Sequence, residues 1–394
     1  MKELAERVKS IDRPLYRAIR DYAAQLGYSD LIYLNVGEPD FPTAPHIVKV
    51  AEEAAREGFT HYTEERGILE LREAIAEDLR ARKGLEVNPE EGVLVTSGGA
   101  EADAAALLTL VNPGEEVIVP DPCYTPYISA IKIAGGRPVF VPVDKETLDW
   151  DFQAIESRVG ENTKAIIVNS PSNPTGGVYS REVLKGIADL AADKGIYILS
   201  DEVYDAFTYE GAEAMSVAQF DQCLERTLIV NSFSKTYAMT GWRVGYLAAD
   251  PKVISQVLKI RGAINVCASS ISQKAALAAL RGPRKTVEEM LREYRDRRRL
   301  VLEALEDMPN VTCPTPKGAF YVFPDVSALT NDSLQFTKYL IQEAHIVVSP
   351  GVAFGKAGEG HTRISYACAR DKLETAMERM KRAVEKYAAK QLKN

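Results

Sequence analysis

From residue 93 onward, short runs of β-branched and aliphatic residues alternate with stretches whose apolar positions recur every three or four residues. Val93-Leu-Val-Thr-Ser97, Glu116-Val-Ile-Val-Pro120, Ala165-Ile-Ile-Val-Asn169, Ile196-Tyr-Ile-Leu-Ser200 and Thr227-Leu-Ile-Val-Asn231 read as strands. Between and after them the spacing predicts helices over 100–110, up to 134, before Gly195 (Val183, Leu184, Ile187, Leu190 and Ala191 on one face), and over 252–261, 269–280 and 287–306. Alternation of this kind builds βα units around a parallel sheet. The pattern then changes: strands are predicted at 319–323, 346–348 and 361–366 and helices at 333–345 and 371–387, an α+β arrangement. The first 30 residues read as an arm leading into a helix opened by Asp12-Arg-Pro and ended by Gly27, followed by a strand at 31–36.

A chain of 394 residues exceeds one small core and suggests two domains. The change of pattern puts the division at 1–40 for the arm and part of a small domain, 41–285 for a large domain, and 286–394 for the rest of the small one. With 46% hydrophobic and 26% charged residues the composition is that of an ordinary soluble globular protein. The formal charge of −8 argues against a nucleic-acid partner. The basic stretch Arg281 to Arg299 is interleaved with Glu288, Glu289 and Glu293 at helical spacing, which predicts a solvated helix face. No run approaches 18 apolar residues and the charged N-terminus lacks a signal-like apolar segment, so no membrane association is expected. The cysteines at 123, 223, 267, 313 and 368 are scattered, odd in number and without a Cys-x-x-Cys pair. They fit neither a disulfide framework nor a zinc site, and a reducing, cytoplasmic compartment is expected. Histidines 46, 61, 345 and 361 are too few and dispersed for a metal cluster, and no metal is expected.

The chemistry concentrates in Asn231 to Gly245, Asn-Ser-Phe-Ser-Lys-Thr-Tyr-Ala-Met-Thr-Gly-Trp-Arg-Val-Gly. Lys235 stands among hydroxyl and apolar neighbours, where desolvation would lower its pKa, and only a neutral amine attacks a carbonyl. Ser232, Ser234 and Arg243 could hold a dianionic phosphate beside it. A carbonyl-bearing phosphate ester next to a lysine describes pyridoxal phosphate.

This Ser-x-Ser-Lys followed by Gly-Trp-Arg-x-Gly resembles the lysine motif of the class I aminotransferases, and the resemblance extends over nearly the whole chain. It implies a fold-type I pyridoxal-phosphate transferase, an α/β fold with a large, mostly parallel sheet between helices and a smaller α+β domain. It places the cofactor phosphate on Gly99 and Ala100, where a Gly-rich helix start offers backbone amides. Tyr124, in Asp-Pro-Cys-Tyr-Thr-Pro, falls where relatives stack an aromatic ring on the pyridine face, a contact worth about 0.5 to 1.5 kcal/mol. Asn173, in Asn-Pro-Thr-Gly, and Tyr204 match the donors to the cofactor's phenolic oxygen. Asp201 matches the acid beside the pyridine nitrogen, where unit charges 4 Å apart gain about 4 kcal/mol at an effective dielectric of 20; a helix N-cap is its plainer alternative. Tyr62 resembles the tyrosine that reaches the phosphate of the neighbouring subunit, which implies a homodimer with shared active sites. Gly37, in Gly-Glu-Pro-Asp-Phe-Pro, matches the loop over the substrate carboxylate. Arg363, in Arg-Ile-Ser, matches the arginine that clamps that carboxylate, a structural salt bridge being the alternative.

Other functions find no support in the sequence. There is no Gly-x-Gly-x-x-Gly after a strand, and Gly351-Val-Ala-Phe-Gly-Lys356 departs from the phosphate-loop pattern in spacing and in lacking Ser or Thr. A cofactor-binding regulator would need a helix-turn-helix ahead of residue 31, where too little chain stands. Lyases and decarboxylases on the same fold remain open at this point. The expected reaction is ping-pong transfer of an amino group from an L-amino acid, aspartate or an aromatic one, to a 2-oxo acid such as 2-oxoglutarate. Two residues bear on that choice: Glu101 occupies a place where some aspartate-specific relatives carry lysine, and Tyr16 is expected to border the substrate side-chain pocket.

Overall fold

The aliphatic runs form the spine of the molecule. The computed structural model describes residues 3–11, 14–220 and 223–391. In chain order its strands are β1 (Ile32–Tyr33), β2 (Val93–Thr96), β3 (Glu116–Asp121), β4 (Arg137–Pro142), β5 (Thr163–Asn169), β6 (Tyr197–Asp201), β7 (Thr227–Ser232), β8 (Gly245–Ala248), β9 (Tyr321–Val322), β10 (Ile346–Val347), β11 (Ser349–Pro350) and β12 (Thr362–Ser365). Seven of them make one sheet in the order β2-β8-β7-β6-β5-β3-β4. Pairing from β4 through β7 is parallel, and β8 runs antiparallel to both its neighbours.

Successive residues of a strand face opposite sides, so each run feeds two cores. Leu228 and Val230 pack with Leu107 of helix Gly99–Leu110 and Val257 of helix Pro251–Gly262. Ile229, between them, packs with Ile75 of helix Leu69–Lys83 and Ala275 of helix Ser270–Arg281. Ile166 and Ile198 meet Leu184 and Ile187 of helix Arg181–Lys194. Both faces are covered, which is why these strands read as unbroken hydrophobic runs.

The remaining strands form a two-stranded pair, β1 with β10, and a three-stranded sheet, β11-β12-β9. They share a core with helices Lys285–Glu306, Ser333–Ala344 and Arg370–Gln391, centred on Tyr294, Phe320, Tyr321, Val348 and Ile364. These strands are shorter than the sequence suggests: 31–36 contracts to β1, 319–323 to β9 and 361–366 to β12. A strand is only as long as its hydrogen-bonding neighbour, and β1 finds partners for Ile32 and Tyr33 alone. Three strands were not foreseen, β4, β8 and the two-residue β11. β4 carries two prolines and a 37%-exposed Phe140, features tolerated because it is the sheet edge, and β8 is four residues that begin at Gly245, the last residue of the lysine motif.

Helix Leu15–Leu26 ends as predicted on Gly27, in the left-handed region at φ 68°. Asp12 and Arg13, expected to open it, lie outside the described residues. Ile19 and Ala23 seat it on Ile341 and Val347. The basic helix Lys285–Glu306 is less solvated than its charge pattern implies: Arg297 and Arg298 are buried, Arg297 pairing with Asp40 at 2.8 Å and Glu293 at 2.9 Å. Among the described residues no helix is long and apolar enough to cross a membrane.

Parallel strands bring their carboxyl ends to one edge of a sheet, and there β5 ends at Asn169, β6 at Asp201 and β7 at Ser232. Ligands of open α/β sheets bind at such edges.

Candidate active site

At that edge lies a cavity of about 880 Å³. Every residue proposed above for the site lines it except Tyr62, which is 82% exposed elsewhere on the surface.

One end of the cavity suits an anion. Gly98, at φ 87°, turns β2 into helix Gly99–Leu110, whose first amides open toward the cavity. A Cβ at Gly98 would stand 2.6 Å from a guanidinium nitrogen of Arg243, so the close approach demands glycine. Arg243 holds the left-handed conformation, φ 51° and ψ 58°, and its guanidinium donates to the carbonyls of Thr240 at 3.0 Å and Ser97 at 3.3 Å. That backbone is uncommon for a side chain other than Gly, Asn or Asp, and the loop after Lys235 imposes it. The hydroxyl of Ser232 donates to that of Ser234 at 2.8 Å. Amides, two hydroxyls and a guanidinium converge with no carboxylate among them.

Lys235 projects into the centre. Its Nζ donates to the Gly37 carbonyl at 2.6 Å and stands 6.0 Å from the centre of the Tyr204 ring. Burial is the main cause that brings its pKa down from 10.5 to about 8, with Arg363 and Arg243 pushing the same way and Glu38 opposing. At pH 8 such an amine is about half neutral, against roughly 0.3% for an ordinary lysine. A Cβ at Gly37 would collide with the Tyr321 hydroxyl, so the loop above the lysine also demands glycine.

The far end is acidic. Asp201 is buried, accepts from the Tyr127 hydroxyl and from the Val203 amide at 3.2 Å, and is pushed up to about 6, chiefly by burial. No helix starts after it, so the N-cap alternative does not apply. Asn169 fixes this end from behind: its amide donates to the Asp201 carbonyl at 3.2 Å and its Oδ1 accepts from the Asn173 amide at 2.9 Å. Tyr124 stands edge-on to Tyr127, ring centres 5.3 Å apart.

Above the lysine sits the second cation. Arg363 donates to Asn173 Oδ1 at 2.8 Å and to the Asn35 carbonyl at 2.7 Å, and lies between the rings of Tyr321 and Phe354 at 4.5 and 4.7 Å. Its Nε has no partner, and no carboxylate of the described residues pairs with it. A buried guanidinium held without an anion leaves the structural-salt-bridge alternative unsupported. With its oxygen engaged by Arg363, Asn173 leaves its NH2 for the cavity. Tyr204 and Tyr321 share a hydrogen bond of 2.7 Å.

Glu101 does not face this space. It accepts from the Ser97 amide and from Asn265 at 3.1 Å and lies 3.8 Å from Arg261. Its carboxylate braces the loop, so it carries no argument about substrate preference. Conversely, Asp103, Tyr127, Tyr321, Asn35 and Phe354 line the cavity and were not foreseen. Tyr127 had a signal in its second-tyrosine position after Tyr124; the others depend on tertiary packing.

A buried amine, an anion cradle on one side and an acid on the other, all at the edge of a mostly parallel sheet, define a pyridoxal-phosphate enzyme of fold type I. The sequence profile of aminotransferases class I and II matches residues 29–380. The aromatic-amino-acid aminotransferase 2 of Thermococcus litoralis is 42% identical over 384 residues, 97% of this chain and 98% of that protein. An aspartate aminotransferase of Pyrococcus horikoshii is 42% identical over 385 residues, 97% of each. Among solved structures, an aromatic aminotransferase from Pyrococcus horikoshii superposes with a TM-score of 0.89 at 43% identity, covering 93% of this chain and 99% of that one. Aspartate aminotransferase from Thermus thermophilus with maleate gives 0.92 at 38% identity, covering 97% and 100%. The chain belongs to the class I and II aminotransferase family. It is a pyridoxal-phosphate-dependent aminotransferase that transfers an amino group from an amino acid to a 2-oxo acid.

Proposed function

We propose that Lys235 is the group that links the cofactor and moves the substrate's α-proton, with the surrounding residues dividing the work of holding both molecules. The observation that carries this reading is a buried amine titrating near 8 between an anion cradle and a buried acid. When bound, pyridoxal phosphate supplies an electrophilic carbonyl and an electron sink. Gly99, Ala100, Ser232, Ser234 and Arg243 would hold its phosphate, Asp201 would pair with its ring nitrogen, Tyr124 would pack on its ring, and Asn173 and Tyr204 would donate to its phenolic oxygen. Arg363 binds the substrate α-carboxylate below Gly37, which sets the α-hydrogen within reach of Lys235 Nζ. That nitrogen, once freed in its neutral form, would take the proton from Cα and hand it back as general acid.

Tyr62 completes the phosphate site from a second copy of the chain in a homodimer. What supports this is its position: at 82% exposure it stands outside its own cavity. The donor is aspartate or an aromatic amino acid and the acceptor 2-oxoglutarate. The two kinds of relative support this range, as does the cavity mouth, where Tyr16 offers a ring and Arg17 and Arg20 offer charge to a distal carboxylate. The division into residues 1–40, 41–285 and 286–394 is proposed on the same basis as before, the change of pattern near residue 285.

Arg363→Lys tests the carboxylate assignment. Loss of the fork geometry is expected to lower kcat/KM by on the order of 10²-fold through KM. An unchanged KM would remove Arg363 from substrate binding.

A further inference from the structure

Helix Gly99–Leu110 presents three positions to the cavity, Gly99, Ala100 and Asp103. The first two open the anion cradle. Asp103 is one helical turn further in, on the same face, where the i and i+4 positions coincide. The helix is otherwise alanine-rich on its buried side, with Ala102, Ala105 and Ala106 at 0–1% exposure. Asp103 itself is 5% exposed, and its Oδ1 has no hydrogen-bond partner. An acid buried without a partner costs free energy that nothing in the protein offsets.

Its neighbours show what it faces. Asp103 and Asp201 act on each other electrostatically, and both act on Tyr124 and Tyr127. Burial, reinforced by the Asp201 charge, pushes Asp103 well above the usual carboxylate range. Two carboxyls in so dry a space do not both ionise, and one keeps its proton. The Tyr127 hydroxyl is already committed to Asp201, so Asp103 is the group at this end with a hydrogen-bonding atom still to satisfy.

We propose that Asp103 is a second acid of the cofactor site, a positioning residue that directs its carboxyl hydrogen to the Asp201 carboxylate, which alone faces the cofactor's ring nitrogen. Asp201 supplies the negative charge. Asp103 keeps that charge single and directed, so the cavity's acidic end recognises a ring nitrogen and not merely a flat ring. This rests on the cofactor-site reading above.

The test uses full-length protein stripped of cofactor by dialysis. Its affinity for pyridoxal phosphate is measured alongside that for the analogue whose ring nitrogen is replaced by carbon, in wild type, Asp103→Asn and Asp103→Leu. Asn keeps a donor of similar shape; Leu fills the space without one. Asp103→Leu is expected to weaken pyridoxal phosphate by tenfold or more while changing the analogue less than twofold, and Asp103→Asn to stay within about threefold of wild type for both. Equal losses for the two ligands in Asp103→Leu would mark Asp103 as packing and overturn the proposal, as would no loss at all. Asn behaving like Leu would overturn the donor role. Should wild type fail to distinguish the two ligands, the assignment of this end of the cavity to the ring nitrogen would itself fall, which separates the two readings.

Discussion

Lys235 owes its reactivity to what surrounds it. A lysine on the surface is a cation at every physiological pH, while this one is buried beside two guanidiniums and titrates near 8. In cofactor-free protein, the rate of linkage to pyridoxal phosphate is therefore expected to rise with pH to a midpoint near 8. Glu38→Gln, which removes the charge that raises Lys235, should move that midpoint lower. A stopped-flow pH series measures both, and a midpoint near 10.5 would show an ordinary solvated amine. At this scale much was legible. Lys235, Asp201, Asn173 and Arg363 each sit in a short string that matches the family's pattern, and all four line the cavity. Glu101 and Asp103 were not legible, for one reason: they are two residues apart on one helix, and sequence does not say which of them points inward. Rotation of about 100° per residue sends Glu101 to Ser97 and Asn265 and Asp103 into the cavity.

Among elements, the joint that places β6 deserves its own test. Helix Leu69–Lys83 ends in Arg80-Ala-Arg-Lys, which reads as a solvated basic tail. Lys83 is instead buried, pairing with Glu202 and, at 3.0 Å, with Asp205, both just beyond Asp201. Ser200 and Ser216 also donate to Glu202, at 2.7 and 2.6 Å. Lys83→Met would strand the buried Glu202 carboxylate and leave Asp205 to Arg82, and is expected to destabilise the protein by about 3–5 kcal/mol. Lys185→Met, at an exposed pair with Asp189, should cost at most about 0.5 kcal/mol. Urea unfolding at pH 7 measures the contrast, and equal effects would contradict it. The network also sets an acid limit. Burial alone would push Asp205 up, but Lys83 and Arg82 outweigh it and hold it at about 2. Against an unfolded value of about 3.9, its contribution is complete above about pH 5 and disappears as pH falls toward 2. The same context dependence explains the missed β4 and β8: their residues make poor strands until neighbours supply hydrogen bonds.

For the whole molecule, the alternation of strands and helices was enough to predict the parallel sheet, because parallel pairing follows from chain order. The surface was not readable in that way. Tyr62 is exposed in one chain, and the proposed homodimer would give it a role. The protein is expected to sediment at twice its 43.4 kDa chain mass. Tyr62→Ala is expected to weaken pyridoxal phosphate by roughly tenfold or more, the loss of one hydrogen bond to a charged group, with the melting temperature of the cofactor-free protein unchanged. A monomer of undiminished affinity would contradict the shared site.

The most direct test of the whole account is the half-reaction. Protein loaded with pyridoxal phosphate is mixed with a single amino acid, without acceptor, and its visible absorbance followed; a second sample is first treated with borohydride. The account predicts a visible band that borohydride abolishes, that Lys235→Ala lacks, and that aspartate or an aromatic amino acid converts to the aminated cofactor with release of one equivalent of 2-oxo acid. 2-Oxoglutarate should then restore it. A band that no amino acid converts, or conversion with loss of carbon dioxide or ammonia in place of 2-oxo acid, would contradict it.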